Sequence, residues 1–544
     1  MAFETSSNFA EYLETSFSDD LQRKIIAFPD GHQATSGFRY YTKKELVDFS
    51  HKAAAYLISN GIPIRTAGEP PLRVTSLAYG TLEWVACFYA IVRMGHAIVN
   101  LSPRLPEDYV HGLLVKSKTD ILVTDRLEQL SIKLHSIAMP SEAEILEQPL
   151  KPEAELFCPH TVIQPDDIFI VLHSSGSTSV PKLFPMKQLE WLGRVANIRK
   201  ILQPSMSAWN ASATYNFGGL IILSLAPSHK GVSYLENDRT NFTHETALDF
   251  LRESKPNYLS ITPWTLTMLA STAEGISLLT KVDIVMLFGA VCTDALGDRL
   301  VAEGVNFYSL YALTETSVLG TSPQPRKTGD KNWQWISIHP PKKDHLEMRQ
   351  LPGSPDLWQM YCLPGCPEVI DTVKDKDGSF CTGDLFVQHP TLKGRWKVVG
   401  RQDDQFKIYQ RDRQSIVNAI AYEAVIYPPN EDIVDEVVLF GQGKGKLGLL
   451  VFAEDVGEGS SRRHEVERRI WETIEKDVNN GQLPTPIERK MILIVDTERT
   501  SLPQTAKKNL IRPQVYLKFQ DLIEKAYAGA EQTNGVHKES NGTH

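Results

Sequence analysis

The sequence predicts an α/β protein with a large N-terminal domain of helix-covered, mostly parallel sheets and a small α+β C-terminal domain. Three observations predict it. From about residue 35 to about 330, short β-branched runs alternate with segments of helical period, as expected for strands joined by crossover helices. Between about 330 and 400 the long helical periods stop while strand-like runs continue. Past the charged, aperiodic stretch "GRQDDQFKIYQRDRQ", which begins at Gly400, amphipathic helices return over a shorter segment. At 544 residues the chain also exceeds what one compact domain usually holds.

The elements follow in order. "TKKELVDFSHKAAAYLISNGI" carries apolar residues at helical spacing and ends at Gly61. "LRVTSLAYG", "DILVTD", "DIFIVLH", "NYLSIT" and "VDIVMLFGA" are short apolar runs bounded by polar or turn residues, which suits buried strands. "DLWQMYCL" and "RWKVVG" read as strands of a barrel or smaller sheet. In the C-terminal segment "EVERRIWETIEKDV" aligns Val466, Ile470, Ile474 and Val478, and "VYLKFQDLIEKAY" aligns Tyr516, Phe519, Ile523 and Tyr527. A hinge is expected near Asp403, which divides the chain into 1–400 and 401–530, with a disordered polar tail over 531–544. "GKGKLG" from Gly443 matches a dinucleotide-loop pattern by letter. Strand-like "DEVVLF" and "LGLLVFAE" flank it, so no helix N-terminus is available for a pyrophosphate, and a hairpin loop is expected.

Composition excludes several classes. A net charge of −9 gives no reason to propose nucleic acid or an anionic membrane as partner. The N-terminus lacks the cationic start and apolar run of a signal peptide, and no apolar stretch reaches membrane-spanning length, so a cytoplasmic location is expected. Six cysteines in so long a chain do not suggest a disulfide framework. Cys362 and Cys366 have no second Cys/His pair at zinc spacing, so no metal is expected there.

The chemistry concentrates after "DIFIVL". The stretch "HSSGSTSVPK" (173–182) places Ser174, Ser175, Gly176, Ser177 and Thr178 ahead of Lys182. Glycine permits close backbone approach, hydroxyl and amide groups donate to phosphate oxygens, and lysine adds charge. A polyphosphate is the physical candidate and an ordinary polar turn the bland alternative. Four more polar stretches stand at long spacing: "LYALTETS" with Tyr311, Thr314 and Glu315; "FCTGDLF" with Asp384; "GRQDDQFK" with Arg401 and Asp403; and "LPQTAKKNLIR" with Lys507 and Lys508.

Together and in this order they resemble the adenylate-forming superfamily of acyl-CoA synthetases, luciferases and nonribosomal peptide synthetase adenylation domains. "LSPRLPEDYVHGLL" and "NWQW" look closest to adenylation domains of fungal synthetase-like enzymes. The resemblance implies two helix-covered sheets plus a distorted β-barrel, followed by a mobile lid domain, with ATP and Mg²⁺ bound in the cleft between the two domains. It implies that the 174–182 loop wraps the ATP phosphates, led by Ser177 and Thr178. Gly289 and Ala290 would pass the adenine, Tyr311 would stack on it, and Glu315 would take Mg²⁺. Asp384, helped by Arg401, would accept from the ribose hydroxyls. A lysine of the 502–512 stretch would bridge the substrate carboxylate and the α-phosphate. The implied reaction joins a carboxylic acid to AMP with release of pyrophosphate.

The chain departs from the family pattern at Ser179, Ala312, Gln410 and Asn509. An ungapped match puts Asn509 at the usual lysine position; Lys507 instead matches the lysine of the fungal "KGT" variant of the motif and Lys508 its glycine, so Lys507 ranks ahead of Lys508. A non-catalytic nucleotide-binding partner protein is therefore the alternative. Tyr215, Asn216, Phe217, Gly218 and Phe288 would line the acid pocket. Asn216 stands where an amino-acid-activating domain carries aspartate for the α-ammonium, which favours an aryl or other non-amino acid; the competing reading is that Asn216 and Phe217 only pack. No carrier, reductase or thioesterase motif follows Tyr527, so the expected acceptor comes in trans, as a carrier protein, coenzyme A or a small nucleophile.

Overall fold

A computed structural model describes residues 5–535, apart from 32–33, 106, 131, 174–180, 203–204, 237–242, 324–329, 353, 403–404, 411–412, 481–482, 484 and 505–509. The alternating pattern builds two large sheets. The six-stranded sheet runs Ser136–Ala138, Ile121–Thr124, Arg73–Leu77, Ala97–Leu101, Ile168–His173 and Leu183–Lys187 across its width, and only the last strand is antiparallel. The nine-stranded sheet is parallel from Phe307–Leu313 through Ile284–Leu287, Tyr258–Ile261, Ala208–Asn210 and Ser233–Tyr234 to Lys24–Pro29, with antiparallel strands at both edges. The five runs read as buried strands all form strands of these two sheets.

Helices cover the sheets because their apolar stripes have nowhere else to go. The helix Lys43–Ser59 begins with a capping box between Thr42 and Glu45, and Gly61, at φ +100°, turns the chain out after it. The helix Leu82–Arg93 is buried at all but one position. The largest apolar cluster joins these helices to Phe9, Tyr12, Trp191 and Ile221.

An antiparallel sheet of four strands, Leu346–Leu351, Ser354–Cys362, Phe380–Gln388 and Trp396–Arg401, accounts for the helix-poor region. Cys362 and Cys366 are buried in its core. Among the described residues, the two apolar clusters of the C-terminal region contain nothing before Ile408. That region packs helices on the strands Glu436–Phe440, Leu447–Ala453 and Ile487–Asp496. The first two pair antiparallel, so "GKGKLG" lies at a hairpin turn as expected. The last helix runs through Gly535, so the tail boundary expected at 531 falls inside it.

One pH effect follows from this small domain. Burial, reinforced by the like charge of Glu423, raises the Glu436 carboxyl to about 7, against the opposing influence of the Val437 N–H and Arg512; Asp435 adds to the rise. Glu423 itself is held by Arg512 at 2.6 and 2.8 Å. A carboxyl with a raised folded-state pKa stabilises the fold while protonated, and that stability is lost as pH climbs from the ordinary 4.5 to about 7. Thermal melts on either side of this window should show wild type losing on the order of 3 kcal/mol. Glu436→Gln, which stays neutral, should lose much less; an equal loss in both proteins would exclude this carboxyl as the cause.

Candidate active site

In open parallel sheets, ligands bind beyond the carboxyl ends of the strands. The candidate residues collect there. Tyr215 to Gly218 follow the strand Ala208–Asn210, Phe288 to Ala290 follow Ile284–Leu287, and Tyr311 to Glu315 close Phe307–Leu313. These strands are close in the sheet order, with only Tyr258–Ile261 between the first and second. Gly289 has φ +87°, a conformation costly for other residues, and both Gly289 and Ala290 are exposed.

The four-stranded sheet brings Asp384 to this edge. Asp384 and Arg401 are directly paired across the strands Phe380–Gln388 and Trp396–Arg401, so their side chains meet. Arg401 Nη1 donates to Asp384 Oδ1 at 3.1 Å, and Tyr311 Oη donates to Oδ2 at 2.5 Å. The Asp384 side chain is buried while Arg401 is 46% exposed, so the carboxylate is held from one flank by a solvated cation. Burial and the Asp384 charge push the Tyr311 phenol well above its ordinary value. It is therefore a fixed donor. The Tyr311 ring meets Phe386 edge-on at 5.2 Å. The tyrosine expected beside the base is thus also the residue that orients the Asp384 carboxylate.

The turn that carries Thr314 and Glu315 is held from behind. Arg194, fully buried on the helix Gln188–Ile201, donates from Nη1 to Thr314 O at 2.9 Å and from Nη2 to Glu315 O at 3.3 Å. Its Nη2 also donates to Glu368 O. Ile370 N–H donates to Glu315 O at 3.0 Å. Lys342, also fully buried, donates from Nζ to Thr316 O and pairs with Glu368 Oε2 at 3.0 Å. Ser317 then enters the next strand at φ +61°. The Glu315 residue remains partly exposed. Among the described residues no group of three or more His, Cys, Asp or Glu side chains could hold a metal. A cation here would be shared between the one carboxylate, Glu315, and phosphate oxygens, a donor set that suits Mg²⁺.

The acid-pocket candidates also come together. A Cβ on Gly218 would lie 2.8 Å from the Phe288 ring, so Gly218 lets that ring approach the helix Phe217–Leu225. Phe217 stands edge-on to Trp191 at 5.8 Å and under the Arg194 guanidinium at 5.5 Å. Asn216 is the N-cap of that helix, yet its side chain makes no capping hydrogen bond, which leaves that amide outside the usual capping role. Tyr215 is buried.

The antiparallel pair Ile168–His173 and Leu183–Lys187 brackets the hydroxyl-rich loop, with His173 opposite Leu183. His173 Nε2 accepts from Ser102 N–H at 3.0 Å. Lys182 is exposed at the loop's far end. Ser174, Ser175, Gly176, Ser177 and Thr178, together with Asp403, Lys507 and Lys508, lie outside the described residues. Sequence reasoning missed Arg194, Lys342 and Glu368 entirely.

Two helix-covered, largely parallel sheets with the candidate residues gathered at their carboxyl ends define the class of fold. Residues 21–340 match the AMP-binding enzyme family and residues 415–531 match the AMP-binding enzyme C-terminal domain. The chain belongs to the AMP-binding enzyme family. It is 23% identical over 569 residues to the adenylate-forming reductase Nps11 of Serpula lacrymans var. lacrymans (strain S7.9), across 95% of this chain and 50% of that one. It is 24% identical over 538 residues to the adenylate-forming reductase Nps10 of Heterobasidion annosum, across 91% and 47%. The chain thus spans about half the length of these curated relatives. Its fold is similar to that of ATP-bound MatB from Rhodopseudomonas palustris, with a TM-score of 0.72 at 15% identity over 95% of this chain and 100% of that chain. The anthranilate CoA ligase AuaEII in complex with anthranoyl-AMP gives 0.68 at 16% identity, over 95% and 98%. Among the described residues no helix is long and apolar enough to cross a membrane.

Proposed function

We propose that the protein adenylates a carboxylic acid with MgATP. A carboxylate oxygen attacks the α-phosphorus, the bond from that phosphorus to the bridging oxygen breaks, and pyrophosphate leaves with the electron pair. Bound Mg²⁺ would neutralise phosphate charge as it develops. The observation that carries the reading is the hydrogen-bonded group of Tyr311, Asp384 and Arg401, in which Tyr311 stands on the strand that leads into the Glu315 turn. In this reading Asp384 accepts from the ribose, Glu315 takes the metal, and the loop ending at Lys182 holds the phosphates. No covalent enzyme nucleophile is required, because the acyl-AMP is itself the activated intermediate.

The substrate in this reading is an aryl or other non-amino acid. Asn216 supplies no carboxylate for an α-ammonium, and Phe217, Phe288 and Tyr215 offer apolar ring surface. Pyrophosphate exchange across a panel of aryl acids, aliphatic acids and amino acids tests it. Exchange with aryl acids should exceed that with amino acids by about tenfold or more, the worth of one charge-assisted contact. A preference for an ordinary amino acid would overturn the substrate class, and no exchange with any acid would favour the non-catalytic reading.

The acyl group passes next to a nucleophile, for which a carrier-protein thiol or coenzyme A is proposed. A polar cavity of about 450 Å³ supports an acceptor that bears phosphate. It opens beyond the strands Arg73–Leu77, Ala97–Leu101 and Ile121–Thr124, where the strand order reverses, and Arg104, Asp125 and Arg126 line it, with Arg126 also donating to Pro103 O and Leu105 O.

A further inference from the structure

We infer that Arg194 and Lys342 are positioning residues for the metal step, which act on Glu315 through its backbone. The inference rests on the reading that Glu315 meets Mg²⁺. Three successive carbonyls, those of Thr314, Glu315 and Thr316, are captured by two fully buried cations. Such a turn could be stabilised by one cation or by water. Here the guanidinium fork spans two adjacent carbonyls and the ammonium takes the third, which fixes both the height and the tilt of the peptide that carries the Glu315 side chain.

The arrangement is costly, which argues for a use. Burial brings the Arg194 guanidinium down to about 10, and its Nε is buried without a hydrogen bond. Lys342 and Glu368 form an ion pair whose side chains are 1% and 5% exposed. Buried pairs of this kind are weak stabilisers, and apolar replacements often serve stability as well or better. Glu368 itself holds φ +67°, and Asn197 Nδ2 donates to its Oε1, so the anion that anchors Lys342 is fixed in its turn. The same Arg194 lies against Phe217 of the acid pocket. One guanidinium therefore touches the peptide behind the metal carboxylate and the wall of the acid site. Groups that orient a metal ligand typically change metal affinity or activity 10–100-fold when lost.

The test measures ATP affinity of the full-length protein by calorimetry twice, in EDTA and in saturating Mg²⁺, and the Mg²⁺ concentration at half-maximal pyrophosphate exchange. Arg194→Lys keeps the charge and loses the fork. The double substitution Lys342→Met with Glu368→Gln removes a donor to Thr316 O and leaves neither partner of the pair as an unpaired charge, so folding survives if Arg194→Lys does not fold. Both should leave metal-free ATP affinity at the wild-type value and raise the Mg²⁺ requirement at least ~10-fold. Glu315→Gln serves as the reference. If it shifts the Mg²⁺ requirement while the folded Arg194 or Lys342/Glu368 variants do not, the positioning role is overturned and the metal reading stands. If Glu315→Gln itself leaves the Mg²⁺ requirement unchanged, the metal reading falls, and the inference with it. Equal loss of ATP affinity with and without metal in the Arg194 and Lys342/Glu368 variants would show general damage to the site and would also overturn the inference.

Discussion

Asp384→Ala should weaken ATP binding by ~10² or more, with a matching loss of pyrophosphate exchange. The carboxylate is proposed to accept from two ribose hydroxyls, and a hydrogen bond to a charged group contributes about 1.5–3 kcal/mol. Its two protein partners sharpen the expectation. Arg401 is half exposed and can return to water, so losing Asp384 strands little charge. Tyr311 is buried and loses the acceptor of its hydroxyl, which adds a desolvation cost borne by the free protein as well as by the complex. Tyr311→Phe separates the two contributions. It leaves the carboxylate in place for the ribose and removes only its orienting donor, so ATP affinity should fall by about tenfold or less. Calorimetric titration with ATP distinguishes the variants. An Asp384→Ala protein that binds ATP as wild type does would rule out the ribose role.

The parts of the fold that were legible share one physical property, a local signal. "DIFIVLH" and "VDIVMLFGA" announce strands because buried parallel strands need continuous apolar runs, and both form strands as expected. "EVERRIWETIEKDV" announces a helix, but its apolar residues repeat every four positions, which drifts by roughly 40° per step around an α-helix. The structure absorbs the drift with a π-helical turn at Ile474–Val478, and Val466, Ile470, Ile474 and Val478 all stay buried. "VYLKFQDLIEKAY" reads as one helix, but the structure breaks it at Phe519 into Arg512–Lys518 and Gln520–Gly535; aligned apolar residues cannot reveal such a break when both halves pack into the same cluster.

The site was legible in motif and illegible in support. Tyr311, Glu315, Asp384 and Arg401 stand in recognisable short stretches, and the structure gathers Tyr311, Asp384 and Arg401 into one hydrogen-bonded group. That group spans 73 residues between Tyr311 and Asp384, so only the resemblance could suggest it. Arg194 carried no signal at all. It stands in a helical stretch, "WLGRVANIRK", in which an arginine ordinarily turns to water, and its partners are 120, 121 and 174 residues away. Lys342 in "PPKKDH" reads likewise as a solvated charge. Nothing short of the tertiary structure shows that these two cations face inward.

Lys507→Ala is expected to slow acyl-adenylate formation by ~10²–10³ while ATP affinity changes little. The adenylation reading needs a cation near the carboxylate and the α-phosphate at the moment both gain or share negative charge. Lys182 is exposed after the hydroxyl-rich stretch and Arg401 is engaged with Asp384, so a lysine of the 502–512 stretch remains the proposed source. Among the described residues that flank the stretch, Gln504 and Leu510 pair with each other and Arg512 is anchored on Glu423. A group that reaches the reacting atoms only when the domains close contributes to the transition state and little to the ground state, so its loss lowers turnover and spares binding. Single-turnover formation of acyl-AMP, measured beside ATP titration for Lys507→Ala and Lys508→Ala, reads this directly. The larger defect should follow Lys507. A larger defect at Lys508 would move the role one residue along. If neither substitution slows the step, the adenylation role of this stretch is lost, and the non-catalytic reading of the protein becomes the better one.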